Sequence, residues 1–467
     1  MAISSNSDVQ VTDNHLLLYP KEQEITKEDL QSMISQNEDW AKEYHENWSL
    51  YVGEHDILSA AKKIFGPDNR LVVNMPHYIV DTFNGYFMGN PPKITLPDKG
   101  QNQSLQDWND SNSLQDRLNE VSKQADLYGR SFLFFYQDED AETKVAVVSP
   151  QKAFMVYDDT VAQRPLAFIT YAKDRKGKSQ WLGNIYYATK TIAFGDELGE
   201  ETPSPYGMVP AVEFFDNVER QGVFDNVKTL CQSLDKVLSQ KANQVEYFDN
   251  AYLKALGLNL DKDGDGKPDV DIMQNHMIYS PDAEAADAVV DFISKPDGDT
   301  MQENMLNRLM DLIYQTSQVV NLNDKEFSGN SSGVALKYKM LPMQNMAANK
   351  ERKFRQGLRQ CYRILFSLGR VAPEDAWSNL DFNFPRNMPA NVESEADTAQ
   401  KLSGITSQET ALSVLSIVDD PKEELKRKEE EQAEKVKSMP GLQFAATDQQ
   451  KGQDEPLGGE ADGEEEK

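Results

Sequence analysis

After Asn217 the chain carries a helical repeat too long for a small domain to enclose. Phe224, Val227, Leu230, Cys231, Leu234, Val237, Leu238, Ala242, Val245, Phe248 and Tyr252 follow i, i+3, i+4 spacing for about eight turns. That pattern stops near Gly257, and a second helical pattern runs from Thr300 to about Val320. Between them lies a short acidic insert with mixed structure, IYSPDAEAADAVVDFIS at its end. An out-and-back pair of helices with an insert at the tip reads as a projecting stalk, not as the wall of an enzyme cleft. Any fold for this sequence has to be built around that pair.

Upstream, the first twenty residues read as a loose arm. A helical pattern runs from Lys27 to Ala61 through Met33, Ile34, Trp40, Tyr44, Trp48 and Tyr51, broken at Gly53. Tyr78–Phe87 is helical, GNPP stops it, and Lys93–Leu96 begins an extended segment. Leu114–Tyr128 is helical again, followed by the strand pattern SFLFFYQDED. Short strand runs then alternate with polar turns up to Asn217: KVAVVSP, AFMVYDDTV, LAFITYAKD, NIYYATKTIAF and PAVEFFD, separated by clusters such as DRKGK and GDELGE. This is an α+β unit with an antiparallel sheet.

Downstream, the polar loop NLNDKEFSGNSSG leads into a helix from about Val334. Its later part, Asn349–Arg370, is two-faced. Phe354, Leu358, Cys361 and Leu365 lie together, while Arg352, Arg355, Arg359 and Arg363 form a stripe within roughly 80° on the far side. That stripe reads as a solvated or inter-subunit face paired with surplus carboxylates, in preference to a direct DNA contact. A small helical unit follows Pro373 (Val392–Leu402, Ser407–Val418, Pro421–Lys437), then a polar acidic tail that reads as disordered.

Composition narrows the function. The 467 residues leave room for several compact units, and the formal net charge is -29. That balance excludes tight passive binding of nucleic acid, which needs clustered Lys and Arg, but it suits a surface past which DNA slides without sticking. No apolar run approaches the length of a membrane span. The opening MAISSNSDVQVTDN has neither a basic nor an apolar leader, so export by a signal peptide is not expected. Cys231 and Cys361 both fall in apolar helical patterns and read as buried free thiols.

No catalytic constellation holds together. GxxxxGK[ST], HExxH, GxSxG and CxxC are all missing, and His15, His45, His55, His77 and His276 show no ligand spacing. His77, beside Pro76 at a helix start, reads as a packing residue. GNSSG (Gly329–Gly333) reads as a loop in which Ser331 or Ser332 caps the next helix.

One motif does point to chemistry. In LDKDGDGKPDVDI, Asp261, Asp263 and Asp265 occupy positions 1, 3 and 5 of an EF-hand-type loop, and Gly266 supplies the turn at position 6. Lys267 falls at position 7, where the ligand is a main-chain carbonyl, and Asp269 at position 9. Position 12, which should be a bidentate Glu, is Ile272, so the shell is incomplete unless Asp271, water or a neighbouring subunit fills it. The competing readings are a weak structural Ca2+ site and a simple acidic turn.

Several segments together resemble the portal proteins of tailed bacteriophages, of the type found in siphophages of Gram-positive hosts. They are NRLVVNMPHYIVDTFNGYFMGNPP (Asn69–Pro92), LYGRSFLFFY (Leu127–Tyr136), MVYDDTV (Met155–Val161), QVEYFDNAYLKALG (Gln244–Gly257), FSGNSSGVALKYK (Phe327–Lys339), FNFPRNMPAN (Phe382–Asn391) and ITSQETALSVLSIVDDPKEEL (Ile405–Leu425). The resemblance covers about Ile25–Glu430; each motif is weak and their order carries the case. It implies the portal fold, with a mixed α/β wing, two long stem helices, a small clip insert and a helical crown. On this chain the expected bounds are a flexible arm 1–24, wing 25–226, stem helices 227–257 and 301–320, clip 258–300, tunnel loop 321–333, long wing helix 334–371, crown 372–437 and acidic tail 438–467.

The implied function is a non-enzymatic ring, usually dodecameric, at one capsid vertex in the virion. Double-stranded DNA would be packaged and ejected through its channel. The implied partners are further copies of the chain, the large terminase subunit, a head-tail adaptor, and the major capsid and scaffolding proteins, with no membrane and no required cofactor beyond a possible Ca2+ in the clip. Expected channel-facing residues are Asn323, Lys325, Ser328 and Asn330 on the loop and Lys228 and Lys236 on the stem; Lys228, Lys236 and Lys241 do not share one helical face. The alternative is a monomeric calcium-binding interaction protein with a coiled-coil arm.

Overall fold

The computed structural model describes residues 8–64, 66–175, 180–249, 253–256, 261, 277–280, 289–292, 299–322, 333–387, 392–415, 417–418 and 421–438. The chain divides into two compact units, Met1–Asn387 and Met388–Lys467. It is a mixed α and β protein, as the sequence pattern requires.

The N-terminal segment corrects one expectation. From Asp8 on it is not a loose arm: β1 (Gln10–Val11) and β2 (Leu17–Tyr19) form a hairpin, and Leu17 and Tyr19 are each only 1% exposed. The run LLLY has the apolar surface to favour burial, but it is too short for periodicity to distinguish a strand from a tail.

Helices follow. α1 (Lys27–Tyr51) starts at Thr26, whose side chain accepts the Asp29 N–H, and buries Met33, Ile34, Trp40, Tyr44, Leu50 and Tyr51. After the single turn α2 (Asp56–Ser59), α3 (Met75–Met88) is capped by Asn74, with Pro76 in its first turn. Past β3 (Lys93–Thr95) comes α4 (Lys99–Ser111), a helix that the sequence pattern did not suggest. It is almost wholly polar, yet Asp98 caps it and Leu105 is fully buried. α5 (Leu114–Tyr128) has the expected bounds and ends on Gly129 at φ +80°, where an added Cβ would lie 1.9 Å from the Arg220 carbonyl oxygen.

The strands β4 (Arg130–Gln137), β5 (Thr143–Val148), β6 (Ala153–Asp158), β7 (Pro165–Lys173), β8 (Trp181–Tyr186), β9 (Lys190–Phe194), β10 (Leu198–Pro203) and β11 (Ala211–Phe215) build two sheets. One has the order β1-β2-β6-β7-β8-β9-β10, antiparallel except where β2 joins β6; the other is antiparallel, β11-β4-β5. NIYYATKTIAF therefore holds two strands, and the second half of GDELGE belongs to an exposed edge strand. Phe132 and Ala211 from one sheet and Ala153, Met155 and Phe168 from the other share one core.

α6 (Lys228–Asp249) packs against α7 (Asp299–Ser317), with the strands β12 (Leu253–Leu256), β13 (Met277–Ser280) and β14 (Val289–Phe292) between them in sequence. β12 is central, parallel to β13 and antiparallel to β14. The helix expected to reach Gly257 thus ends at Asp249. Leu253 and Leu256 fit a helical repeat as well as a short strand, and pairing on both sides of β12 decides the matter. α8 (Gly333–Phe366) is a single helix that tolerates Pro342 in its interior. β15 (Asp381–Asn383) then pairs with β3, so residues expected to form one cap, 372–437, are divided between the two units. The second unit contains α9 (Val392–Leu402), α10 (Gln408–Leu412), capped by Ser407, and α11 (Pro421–Ser438).

Candidate functional site

α6 is held by an arrangement of side chains that sequence reading did not anticipate. The extended segment Asn69–Val73 runs antiparallel along it, and its alternate backbone N–H groups donate to the helix. Asn69 N reaches Asn243 Oδ1 at 2.6 Å, Leu71 N reaches Ser239 Oγ at 2.8 Å, and Val73 N reaches Asp235 Oδ1 at 2.7 Å. The match is geometric: four extended residues advance about 13 Å and eight helical residues about 12 Å. Asp235, Ser239 and Asn243 are all buried, and the backbone N–H groups of Asn69, Leu71 and Val73 supply their hydrogen-bond donors. Their i, i+4, i+8 spacing was visible in the sequence; the segment that they receive was not.

Asp235 also carries the other end of this anchor. Its Oδ2 pairs with His55 Nδ1, while His55 Nε2 faces the Leu50 carbonyl oxygen at 3.0 Å. Both partners are acceptors, so the imidazolium satisfies them better than either neutral tautomer. Burial pulls the His55 pKa down, but the hydrogen bond and charge of Asp235 outweigh it and the net shift is upward.

The lysines on α6 separate by environment. Lys228 pairs with Asp225 at 2.9 Å and is mostly covered, and Lys241 bridges to Glu303 of α7. Lys236 is exposed. The loop residues Asn323, Lys325, Ser328 and Asn330 lie outside the described residues, but the start of that loop is fixed. The Tyr78 hydroxyl donates to the Val320 carbonyl at 2.9 Å and accepts the Leu322 N–H at 3.0 Å, and its ring meets Tyr314 edge-on. Asp261 is half-buried; Asp263, Asp265, Lys267 and Asp269 lie outside the described residues.

α8 is fastened through charge. Lys350, on the same helical row as Phe354 and Leu358, is fully buried, 2.8 Å from Asp126 and 3.2 Å from Asp216, and donates to the Ser122 carbonyl. Phe83, Phe87 and Phe354 surround the ammonium. Burial raises the Asp126 pKa well above the usual carboxylate range; Lys350 opposes that shift and Asp216 reinforces it. Further along, Gly357 lets α8 approach β11, since a Cβ there would meet the Phe214 ring at 2.7 Å.

Other expected roles can be placed. Cys231 and Cys361 are buried and free, and burial pushes the Cys231 thiol up to about 12. His77 stacks on Tyr51 and pairs with Asp81 at 3.0 Å, a packing arrangement. Among the described residues no group of three or more His, Cys, Asp or Glu is arranged to hold a metal ion, and no helix is long and apolar enough to cross a membrane.

The helix pair, its anchoring and the sheet order belong to a chain of which residues 30–438 match the family "Phage portal protein, SPP1 Gp6-like". The chain belongs to this portal family. It is 24% identical over 384 residues to the portal protein of Bacillus phage SPP1, covering 75% of this chain and 74% of that relative. It is 23% identical over 446 residues to the portal protein of Clostridium phage phiCD119, covering 85% of this chain and 94% of that relative. Two of the segments that carry the resemblance hold structural devices of the portal chain described above. NRLVVNMPHYIVDTFNGYFMGNPP contains the segment laid along α6 and the helix bearing Tyr78. LYGRSFLFFY contains the Gly129 turn from α5 into β4. The family is a structural one, and membership makes the chain a bacteriophage component.

Proposed function

We propose that copies of this chain assemble into a ring at one capsid vertex, with a central channel through which double-stranded DNA enters and later leaves. The observation that carries this reading is the family match over residues 30–438. In this reading α6 and α7 are the stem, β12–β14 and the aspartate loop form the clip, residues 321–333 are the tunnel loop, and α8 is the long wing helix. The chain itself performs no catalysis; a separate terminase docks on the ring to drive packaging, and an adaptor protein docks later. The net charge of -29 supports this, because a sliding polyanion must break every strong phosphate contact that it makes. The pairing of Lys228 and Lys241 with carboxylates also fits a weakly attractive wall.

Negative-stain electron microscopy of the purified protein, with top views classified by rotational symmetry, tests the reading. Rings with a hole wide enough for duplex DNA support it, and monomers at every concentration overturn it. Deleting residues 321–332 is expected to leave rings intact and impair packaging; normal packaging by that variant would remove the tunnel-loop assignment.

A further inference from the structure

The arginine stripe of α8 is not paired in the way its surroundings would lead one to expect. Arg355 meets Glu351 at 2.7 Å, and Arg386 takes the other oxygen of that carboxylate. Arg352 bonds only the Asn349 side chain, and Arg359 and Arg363 meet no carboxylate among the described residues. Glu374 and Asp375, on the turn that packs against α8, form no ion pair with them. This is unusual in a chain with 77 acidic and 48 basic residues.

The guanidiniums are nevertheless held in place. Arg363 lies over Trp377 at 5.6 Å, Arg359 over Phe382 at 5.9 Å and Arg355 over Phe384 at 5.3 Å. The aromatic row ascends in sequence as the arginine row descends, so the two rows run antiparallel. The N–H edge of Arg355 is taken by Glu351, whereas those of Arg359 and Arg363 meet no carboxylate among the described residues, and such an edge can grip a carboxylate with two bonds. The row borders an open groove of about 440 Å³, lined also by Gln356 and Gln360.

We infer that this groove is one half of the contact between neighbouring copies of the chain, and that carboxylates of the second copy complete it. Charge complementarity selects the occupant: with 77 acidic against 48 basic residues, a second copy carries a large surplus of carboxylates. A cationic row on one face meeting acids on another is a heterologous contact, the kind that closes into a ring. The inference rests on the ring reading above and adds to it the residues that make the contact.

The test uses the full chain with R359E/R363E and the milder R359Q/R363Q, followed by sedimentation velocity at low and high salt, with thermal melting as the check on folding. Wild type is expected to assemble, and to assemble less as salt rises. Both variants should melt as wild type does yet require at least about tenfold more protein to assemble, with the charge reversal the more severe. The glutamine variant keeps the inference testable if the reversal disturbs folding. Assembly of the variants at the wild-type concentration overturns it, and if the same variants also lose retention of short duplex DNA the groove is a nucleic-acid contact instead. Wild-type protein that never assembles defeats the ring reading itself, and this inference with it.

Discussion

His55 and Asp235 stand 180 residues apart in sequence and share a hydrogen bond between Nδ1 and Oδ2 with both side chains buried. The pair ties the turn after α1 to α6, and its pH behaviour follows from the upward shift of the histidine. A histidine whose folded pKa exceeds its unfolded value adds stability that is complete below about 6.5 and is lost as pH rises through the folded value. Wild-type protein is therefore expected to lose melting temperature between pH 6 and pH 9 by a margin that H55Q does not show. Parallel melting curves for the two proteins over that range would assign the pH dependence elsewhere.

The segment bonded along α6 makes a second, separable prediction. S239A removes the acceptor of the Leu71 N–H; Leu71 is itself exposed, so water can replace that acceptor and the cost is about 0.5–1.5 kcal/mol. Hydrogen exchange at Leu71 should accelerate in this variant, and the amides of Asn69 and Val73 should follow because they bond α6 from the same short segment. Unchanged exchange at Leu71 would mean that contacts other than the ladder hold the segment.

How much of this was readable in advance depends on the range over which each feature is decided. α5 and its glycine stop were legible because helix periodicity, a terminal Gly and a following β-rich run all act locally. α4 was not, since Leu105 and Trp108 are its only large apolar residues, too few to set a repeat, and burial of Leu105 is fixed by tertiary packing. β2 and β12 show the opposite difficulty: both are apolar and short, so only their partners β6, β13 and β14 define them as strands. In the candidate site, Asp235, Ser239 and Asn243 announce a polar row on one side of a helix, and Lys350 stands out as a cation in line with Phe354 and Leu358. What each of them meets is a matter of contacts between residues more than a hundred positions apart, which no local pattern encodes.

Lys350 offers the clearest energetic test. Removing the ammonium in K350M leaves Asp126 and Asp216 facing each other in a buried space, and loss of one member of such a group typically costs about 3–5 kcal/mol. The expected result is a large drop in the urea midpoint. Adding D126N to K350M should recover part of it, because one of the two stranded carboxylates is then neutral. A further loss in the double variant would show that Asp126 serves some partner other than Lys350.

The aspartate loop yields a prediction with an internal control. Asp261, Asp263 and Asp265 alternate along a short segment and Asp269 lies four residues further on, so without a cation the four carboxylates repel one another. If the loop binds Ca2+, saturating calcium stabilises the wild type by RT ln(1 + [L]/Kd), about 2.7 kcal/mol at a hundredfold excess over Kd. The double variant D263A/D265A should then melt lower than wild type in calcium and no lower in chelator, where relief of repulsion can even raise its melting point. An equal deficit in both media would mean that the aspartates act by closing the turn. Ile272 at position 12 sharpens the comparison, since I272E supplies the missing bidentate ligand and is expected to increase the calcium-dependent shift only if the other aspartates already converge on one ion.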